Sequence, residues 1–275
     1  MSTFNIAYND IPRRAALITA GNENANHPHE NLFYGPTGIY WQSNGNQTAS
    51  TITLDLGSGN TAPVDYLALR GLRTMIQGKG GATVDVELHG STDNFAASDV
   101  TIITMLDIEL TDLRGRYNED LIETIPLSTA YRYWRIEINS TSGITHLLHK
   151  AYFGRLFNFG GISPRYPFSS NLDTGAGRGF ISDAGTTFST SSGRAVSQKQ
   201  LSWHGLSDAI TEEFREKIEP YLSDFPVFLY TPLAFPHVVI ANLIVFGWLS
   251  SQISSGDKYT NANSISMNFR EDILG

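Results

Sequence analysis

The stretch GIYWQSNGNQTASTITLDLGSG, residues 38–59, decides the fold. Tyr40 and Trp41 lead into a polar turn, and a strand then closes on Asp55-Leu56-Gly57. Within it Ile52, Leu54 and Leu56 fall on one face, and Thr51, Thr53 and Asp55 on the other. Period-two alternation is what a half-buried antiparallel strand requires. The stretch therefore reads as a strand of a sandwich core, and what its exposed edge serves is left open.

The same period recurs on both sides of it. VDYLALRGL (64–72) places Leu67 and Leu69 opposite Tyr66 and Ala68. ATVDVELHGS (82–91) alternates Val84, Val86 and Leu88 with Asp85, Glu87 and His89. YRYWRIEIN (131–139) alternates Trp134, Ile136 and Ile138 with Tyr133, Arg135 and Glu137. Gly/Asn/Ser turn clusters between such strands predict an antiparallel β-sandwich.

Around Gly154–Pro167 the period disappears among glycines and prolines, which sets a boundary between a sandwich over 1–160 and a β-rich domain over 161–275. The segment after it, near 171–200, is poor in aliphatics and rich in Gly, Ser and Thr. It reads as a linker or as a β-hairpin arm ordered by a partner. On the arm reading, Asn171, Arg178, Phe180, Phe188 and Arg194 are its candidate assembly residues. LSDAITEEFREKIEPYL carries Ile210, Phe214, Ile218, Tyr221 and Leu222 at helical spacing, with Ser207 or Thr211 as cap and Pro220 as its end. FPVFLYT, HVVIANLIVFGWLSSQIS and SISMNFREDIL read as strands, with Trp203, Phe214, Phe225, Phe228 and Trp248 as core. The predicted fold class is mainly β: a jelly-roll sandwich, then a β-rich domain with one packed helix.

Composition excludes several functions. With no cysteine there is neither a disulfide framework nor thiolate chemistry. The formal charge is −8 and acidic residues outnumber basic ones in both halves, so no nucleic-acid partner is expected. MSTFNIAYNDIPRRAALI lacks the pattern of a signal peptide, and HVVIANLIVFGWLSS is too short for a transmembrane helix, so no membrane span is expected.

Candidate chemistry is sparse. GLRTMIQGKGG has the wrong spacing for a phosphate-binding loop, and Lys79 is followed by Gly80. His27, His29 and Glu30 are metal-ligand types, but Pro28 separates the histidines and no third ligand follows at motif spacing. His146 and His149 are three apart and could share a helical face or serve packing. No GxSxG, HExxH or cysteine nucleophile is present, and no carboxylate pair is singled out, so no enzyme is predicted.

Two family resemblances enter on particular residues. ENLFYGPTGIYWQSNGNQTASTITLDLG, through Asn31, Gly35, Trp41 and Asp55-Leu56-Gly57, resembles the discoidin-like, or galactose-binding-like, β-sandwich family. VDVELHGSTDNF and YRYWRI extend that resemblance over about residues 5–157. It implies an eight-stranded jelly roll in which Trp41 and Trp134 serve packing. Sugar-binding relatives often hold a structural calcium through an acidic loop residue and a late Glu. Here Phe33 and Tyr34 stand in the loop and KAYFGRLF lacks the Glu, so no cofactor is expected. A glycan would meet loop aromatics such as Phe33, Tyr34 and Tyr40.

The second resemblance covers about residues 163–275. QLSWHGLSD, the acidic helix and the terminal SISMNFREDI look similar to tail-tip and distal-tail proteins of tailed bacteriophages. It implies a structural, non-enzymatic virion component at the tail tip or baseplate, assembled in the host cytoplasm. It also implies a homo-oligomeric trimer or hexamer ring whose partners are other tail proteins. The module order here is the reverse of the distal-tail arrangement. The alternative is a carbohydrate-binding attachment protein that recognises a host surface glycan.

Overall fold

A computed structural model of the protein describes residues 5–8, 11–34, 39–74, 83–109, 121–126, 128–162, 169–173, 178–181, 187–190, 196–221, 227–231, 243–254 and 263–271. The chain is mainly β and forms two compact units: Ala7–Leu156, and Met1–Ile6 with Phe157–Ile273. The division falls before the 160/161 boundary expected from composition. The reason is that Phe157 and Phe159 pack edge-to-face at 5.0 Å, and Phe157 also packs on Phe214 at 5.6 Å, so both rings are core of the second unit.

In chain order the elements up to Asn158 are β1 (Asn5–Tyr8), α1 (Ile11–Arg14), β2 (Leu17–Ala20), α2 (Glu30–Phe33), β3 (Trp41–Gln42), β4 (Gln47–Asp55) and β5 (Tyr66–Arg70). There follow β6 (Arg73–Thr74), β7 (Thr83–Ser91), β8 (Val100–Glu109), β9 (Leu121–Thr124), β10 (Tyr133–Ile144), β11 (His146–Leu148) and β12 (Lys150–Asn158). One antiparallel sheet runs β2-β4-β10-β7-β8, and β5 pairs antiparallel with both β12 and β9. Their inward residues form a single core: Ile52 and Leu54, Val84, Val86 and Leu88, and Trp134, Ile136 and Ile138 from one sheet, with Leu67, Leu69, Ala151 and Phe153 from the other. Two sheets sharing one apolar layer make a β-sandwich, as the alternation predicts.

The register shows why alternation suffices. Trp134 lies opposite Leu54, and Ile136 opposite both Ile52 and Leu88, so a one-residue slip would expose the whole apolar row. Each of those aliphatic side chains contributes about 1.5–3 kcal/mol on burial. Trp41 and Trp134 are fully buried, in agreement with a packing role. Trp134 meets Tyr131 edge-on at 5.6 Å and Phe153 at 6.2 Å. The closing Asp55-Leu56-Gly57 is a corner lock: Asp55 accepts from Arg132 Nε at 2.7 Å and Nη2 at 2.8 Å, and from Gly57 N at 2.8 Å. These bonds, Arg132's first, hold the Asp55 carboxyl below the usual carboxylate range.

A third, small sheet, β3-β11-β6, extends the sandwich at one end. His146 and His149 therefore do not share a helical face: His146 begins a strand, and the turn after Leu148 carries His149.

The second unit adds β13 (Ser169–Asp173), β14 (Arg178–Ile181), β15 (Thr187–Thr190), β16 (Val196–Leu206), α3 (Asp208–Lys217), β17 (Val227–Thr231), β18 (Leu243–Ser254) and β19 (Asn263–Glu271). Its antiparallel sheet runs β13-β16-β19-β18-β17. Ser207 caps α3 by accepting from Ile210 N at 3.4 Å, and Lys217 donates to Glu213 at 2.6 Å. A 3-10 turn over Glu219–Tyr221, containing Pro220, ends the helix. Phe214 and Ile218 are its buried stripe, and Phe159 stacks on Trp203 at 4.2 Å beside Phe214. Of the other expected core aromatics, Phe225 lies outside the described residues, while Phe228 and Trp248 fall on β17 and β18.

Both ends of the expected 171–200 arm belong to the main sheet. Ser169–Asp173 and residues 196–200 pair with one another inside the main sheet, and 198–200 pair also with β19. What stands apart is the β14–β15 hairpin, with Phe180 opposite Phe188, which forms a two-stranded sheet. Asn171 thus lies in the sheet, Arg178, Phe180 and Phe188 lie in the hairpin, and Arg194 lies outside the described residues.

Candidate functional site

The small sheet builds a surface at one end of the sandwich. Residues 22–27 run beside β3 and the residues after it: Asn24 N donates to Gln42 O at 2.9 Å, Gln42 N to His27 O at 3.1 Å, and Asn44 N to Asn22 O at 2.6 Å. Asn22 takes the left-handed conformation, φ 57°, that lets the chain turn there. Asn24 Oδ1 accepts from Asn26 N at 2.9 Å, which closes a tight polar turn.

On this backbone sits an aromatic cluster. The Tyr40 ring is stacked on the His27 imidazole, with centroids 4.2 Å apart and planes 13° from parallel, and His149 lies 5.5 Å from it at a tilt. Asn31 Nδ2 donates to Tyr40 O at 2.9 Å, fixing the main chain that bears the ring. Tyr34 is 42% exposed, and its hydroxyl donates to Pro12 O at 3.3 Å. Ile39, at 36% exposed, adds apolar surface next to Tyr40. Glu23 accepts from the His29 backbone N at 2.9 Å and pairs with its Nδ1 at 2.8 Å, while Glu30 lies 3.7 Å from Nε2. A ring cluster next to the polar turn of Asn24 and Asn26 suits a ligand that has both an apolar face and hydroxyls.

Beneath the cluster, His146 is 1% exposed between two hydroxyls, Ser50 Oγ at 2.8 Å from Nδ1 and Ser140 Oγ at 3.1 Å from Nε2. Its backbone N donates to Ser43 Oγ at 2.9 Å, and its O accepts from Ser43 N at 2.9 Å. Burial pushes its pKa down to about 4, so the ring is neutral near pH 7 and ties β11 to β4 and β10.

Of the three candidate glycan-facing aromatics, the structure separates one from the others. Phe33 is 4% exposed and belongs to the sandwich core, so it presents nothing to a ligand. Tyr34 is exposed and Tyr40 half-buried. The adjacent Phe and Tyr differ because α2 turns Leu32 and Phe33 inward and ends before Tyr34. His27 and His29, read from sequence as metal-ligand types, form a ring stack with Tyr40 and hydrogen bonds with Glu23. Among the described residues no group of three or more His, Asp or Glu side chains is placed to hold a metal. Glu23 and Asn24 were not singled out by the sequence, and His149 was read only as a possible helical-face or packing residue; pairings of 22–27 and of β11 with β3 place these segments side by side.

A calcium ion does not fit the loop that resemblance would assign to it. Lys150 Nζ, on a residue 2% exposed, donates to Asn31 O at 2.5 Å and Tyr34 O at 2.9 Å. An ammonium already holds these carbonyls, and a hard divalent cation needs six to eight oxygens with carboxylates among them.

A second polar cluster lies on the outward face of β7 and β10. His89 stands between Asp99 at 2.7 Å and Glu87 at 3.1 Å, while Arg135 bonds Asp99 at 2.6 Å and covers the Phe95 ring at 4.2 Å. Asp93 accepts from Ser98 Oγ, Ser98 N, Ser91 Oγ and Ala97 N, and these bonds, that of the Ser98 hydroxyl first, lower its pKa to about 2. The bonds close on one another and hold Asn94 and Phe95 at positive φ, 58° and 63°, so the cluster is accounted for by the turn it builds.

No protein-family model matches the chain, and no curated protein matches it. Similar solved structures do exist. A CBM32 from a family 31 glycoside hydrolase of Clostridium perfringens is 14% identical over 54% of this chain and 96% of its own, with TM-score 0.40. The family 32 CBM of C. perfringens NanJ, in complex with galactose, is 15% identical over 56% of this chain and 98% of its own, with TM-score 0.38. A mutant GH29 fucosidase of Ruminococcus gnavus, in complex with fucose, is 11% identical over 54% of this chain, with TM-score 0.41; the match spans only 26% of the fucosidase. None of these three is a tail protein. The sandwich assignment rests on this chain's own strand order and shared core.

Proposed function

We propose that the Ala7–Leu156 unit is a glycan-binding module whose binding surface is the Tyr34–Tyr40 end of the sandwich. The observation that carries this reading is the half-buried Tyr40–His27 stack, with Tyr34, close in sequence, exposed. Stacked rings offer the C–H face of a pyranose a flat apolar platform, and Glu23, Asn24 and Asn26 supply acceptors and donors for its hydroxyls. Galactose is bound in one of the similar structures and fucose in another; the reading rests instead on the geometry of this surface. Nothing in it requires catalysis. The test is a glycan array probed with the full chain, followed by calorimetry on the best hit for wild type and Tyr40→Ala. Saturable binding lost in Tyr40→Ala is the expected result. No binding to any saccharide, or binding untouched by Tyr40→Ala and Tyr34→Ala, would overturn it.

A second reading concerns the other unit and is favoured by one observation. An isolated two-stranded hairpin is marginal in water, and β14–β15 pairs with no third strand among the described residues. Such an element gains most by adding to the sheet edge of a neighbouring subunit, which fits the tail-tip ring role that the C-terminal sequence resembles. Removing residues 178–190, rather than the wider 171–200, leaves the main sheet's strands intact. The expected result is loss of a trimer or hexamer in light scattering without loss of the folded units. A wild-type chain that is monomeric at all concentrations would sink this reading.

A further inference from the structure

The carbonyls that end α2 belong to the loop that leads to the proposed ligand surface. Lys150 reaches them from β12, where it is buried opposite Arg70, with the two residues paired across β12 and β5. Two like charges directly opposite in a sheet are unfavourable, so an ammonium kept there needs strong acceptors. Asn31 O at 2.5 Å and Tyr34 O at 2.9 Å are two of them. Asn31 in turn donates its side-chain amide to Tyr40 O at 2.9 Å. One cation thus holds the main chain of Tyr34 directly and that of Tyr40 through Asn31.

We infer that Lys150 is a positioning residue, the built-in cation of this loop, and that the Tyr34–Tyr40 surface is organised without calcium. Its consequence for ligand binding rests on the glycan reading, but the loop geometry does not. A monovalent ammonium carried by the chain is present at every metal concentration and on every copy, so Tyr34 and Tyr40 are held without a metal. Its loss would free the Asn31 and Tyr34 carbonyls, release Asn31, and let Tyr40 leave the His27 ring.

The test is NMR of the full chain without any glycan. Tyr40 stacked at 4.2 Å shifts the His27 ring protons upfield, which gives a direct readout of the stack. In the wild type, neither chelator nor excess calcium chloride moves those protons or the amides of residues 31–34. In Lys150→Met they move toward free-histidine positions, and Lys150→Arg, which keeps a cation, returns part of the shift. A role limited to stability would lower the melting temperature and leave the His27 signals of the folded protein in place. Saturable calcium shifts in the wild type, or a folded Lys150→Met with unchanged His27 signals, would overturn the inference. If Lys150→Met does not fold, Asn31→Ala takes its place: it keeps the ammonium and cuts the link to Tyr40, and unchanged His27 signals then refute the relay. Failure to bind any saccharide would leave all of these outcomes as they stand.

Discussion

His146 makes the sandwich, and with it the candidate surface, sensitive to mild acid. The neutral ring is buried and bonded to Ser50 and Ser140, and its pKa falls from 6.5 to about 4. The sign follows from linkage. The unfolded chain binds a proton at this histidine below about pH 6.5, whereas the folded chain does so only below about pH 4. Stability is therefore fully present above pH 6.5 and is lost as pH falls from 6.5 towards 4. At pH 5 the difference amounts to about 2 kcal/mol, and it approaches about 3 kcal/mol below pH 4. Asp55 and Asp93, whose values are lowered, lose their contributions only below the ordinary carboxylate range. Asp65, raised by burial against the pull of Arg155, acts in the opposite sense. Because two units unfold in one chain, the assay must be local: hydrogen-exchange protection of the β4 and β10 amides at pH 7.5 and pH 5. His146→Gln keeps an amide that can bond both serines and does not titrate, so it should flatten the slope at some cost to stability at pH 7.5. Protection that is flat between the two pH values, or a His146 proton titration with its midpoint near 6.5, would refute the reasoning.

The remaining predictions are local. Tyr40→Ala should weaken glycan binding at least tenfold, about 1.4 kcal/mol by calorimetry, while sandwich stability changes little. Gly90→Ala should destabilise the sandwich by about 1–3 kcal/mol in urea titration, because the new Cβ would lie 2.3 Å from Tyr131 Cδ2. That ring cannot step aside easily, since Tyr131 exchanges backbone hydrogen bonds with Ala62 at 3.0 and 3.1 Å. Phe159→Ala should cost the second unit about 3–5 kcal/mol, read from the Trp203 fluorescence transition, by removing the ring stacked on that indole.

Strand positions were legible wherever one face is wet. Ile52/Leu54, Val84/Val86/Leu88 and Trp134/Ile136/Ile138 all alternate with polar neighbours, and all are buried. In the second sheet the period fades, because β5 is buried on both faces from Tyr66 to Arg70 and β12 from Lys150 to Gly154. There the sequence shows hydrophobicity without direction. The candidate site was half legible. Tyr34 and Tyr40 were named together with Phe33, since adjacent aromatics in one short segment carry no local signal of which faces water. His149, Glu23 and Lys150 join them only through non-local pairings, 22–27 with β3 and β12 with β5, and no spacing in the sequence encodes those.

What distinguishes the Tyr40 surface is how many hydrogen bonds hold its described residues. Its main chain is tied by Asn31 to Tyr40 O, by Gln42 and Asn24 to the neighbouring turn, and by Lys150 to the end of α2. Ordering a flexible side chain on binding costs about 0.5–1.5 kcal/mol, and that cost has already been met here during folding. The same hydrogen bonds explain why Phe33 and Tyr34, neighbours in sequence, divide between core and surface. Lys150 takes the Tyr34 carbonyl where α2 ends, and Tyr34 there adopts extended backbone while Leu32 and Phe33 are buried. The rigidity that keeps apolar rings in contact with water is costly to a sandwich that has no ligand for them, and that argues most directly for a ligand.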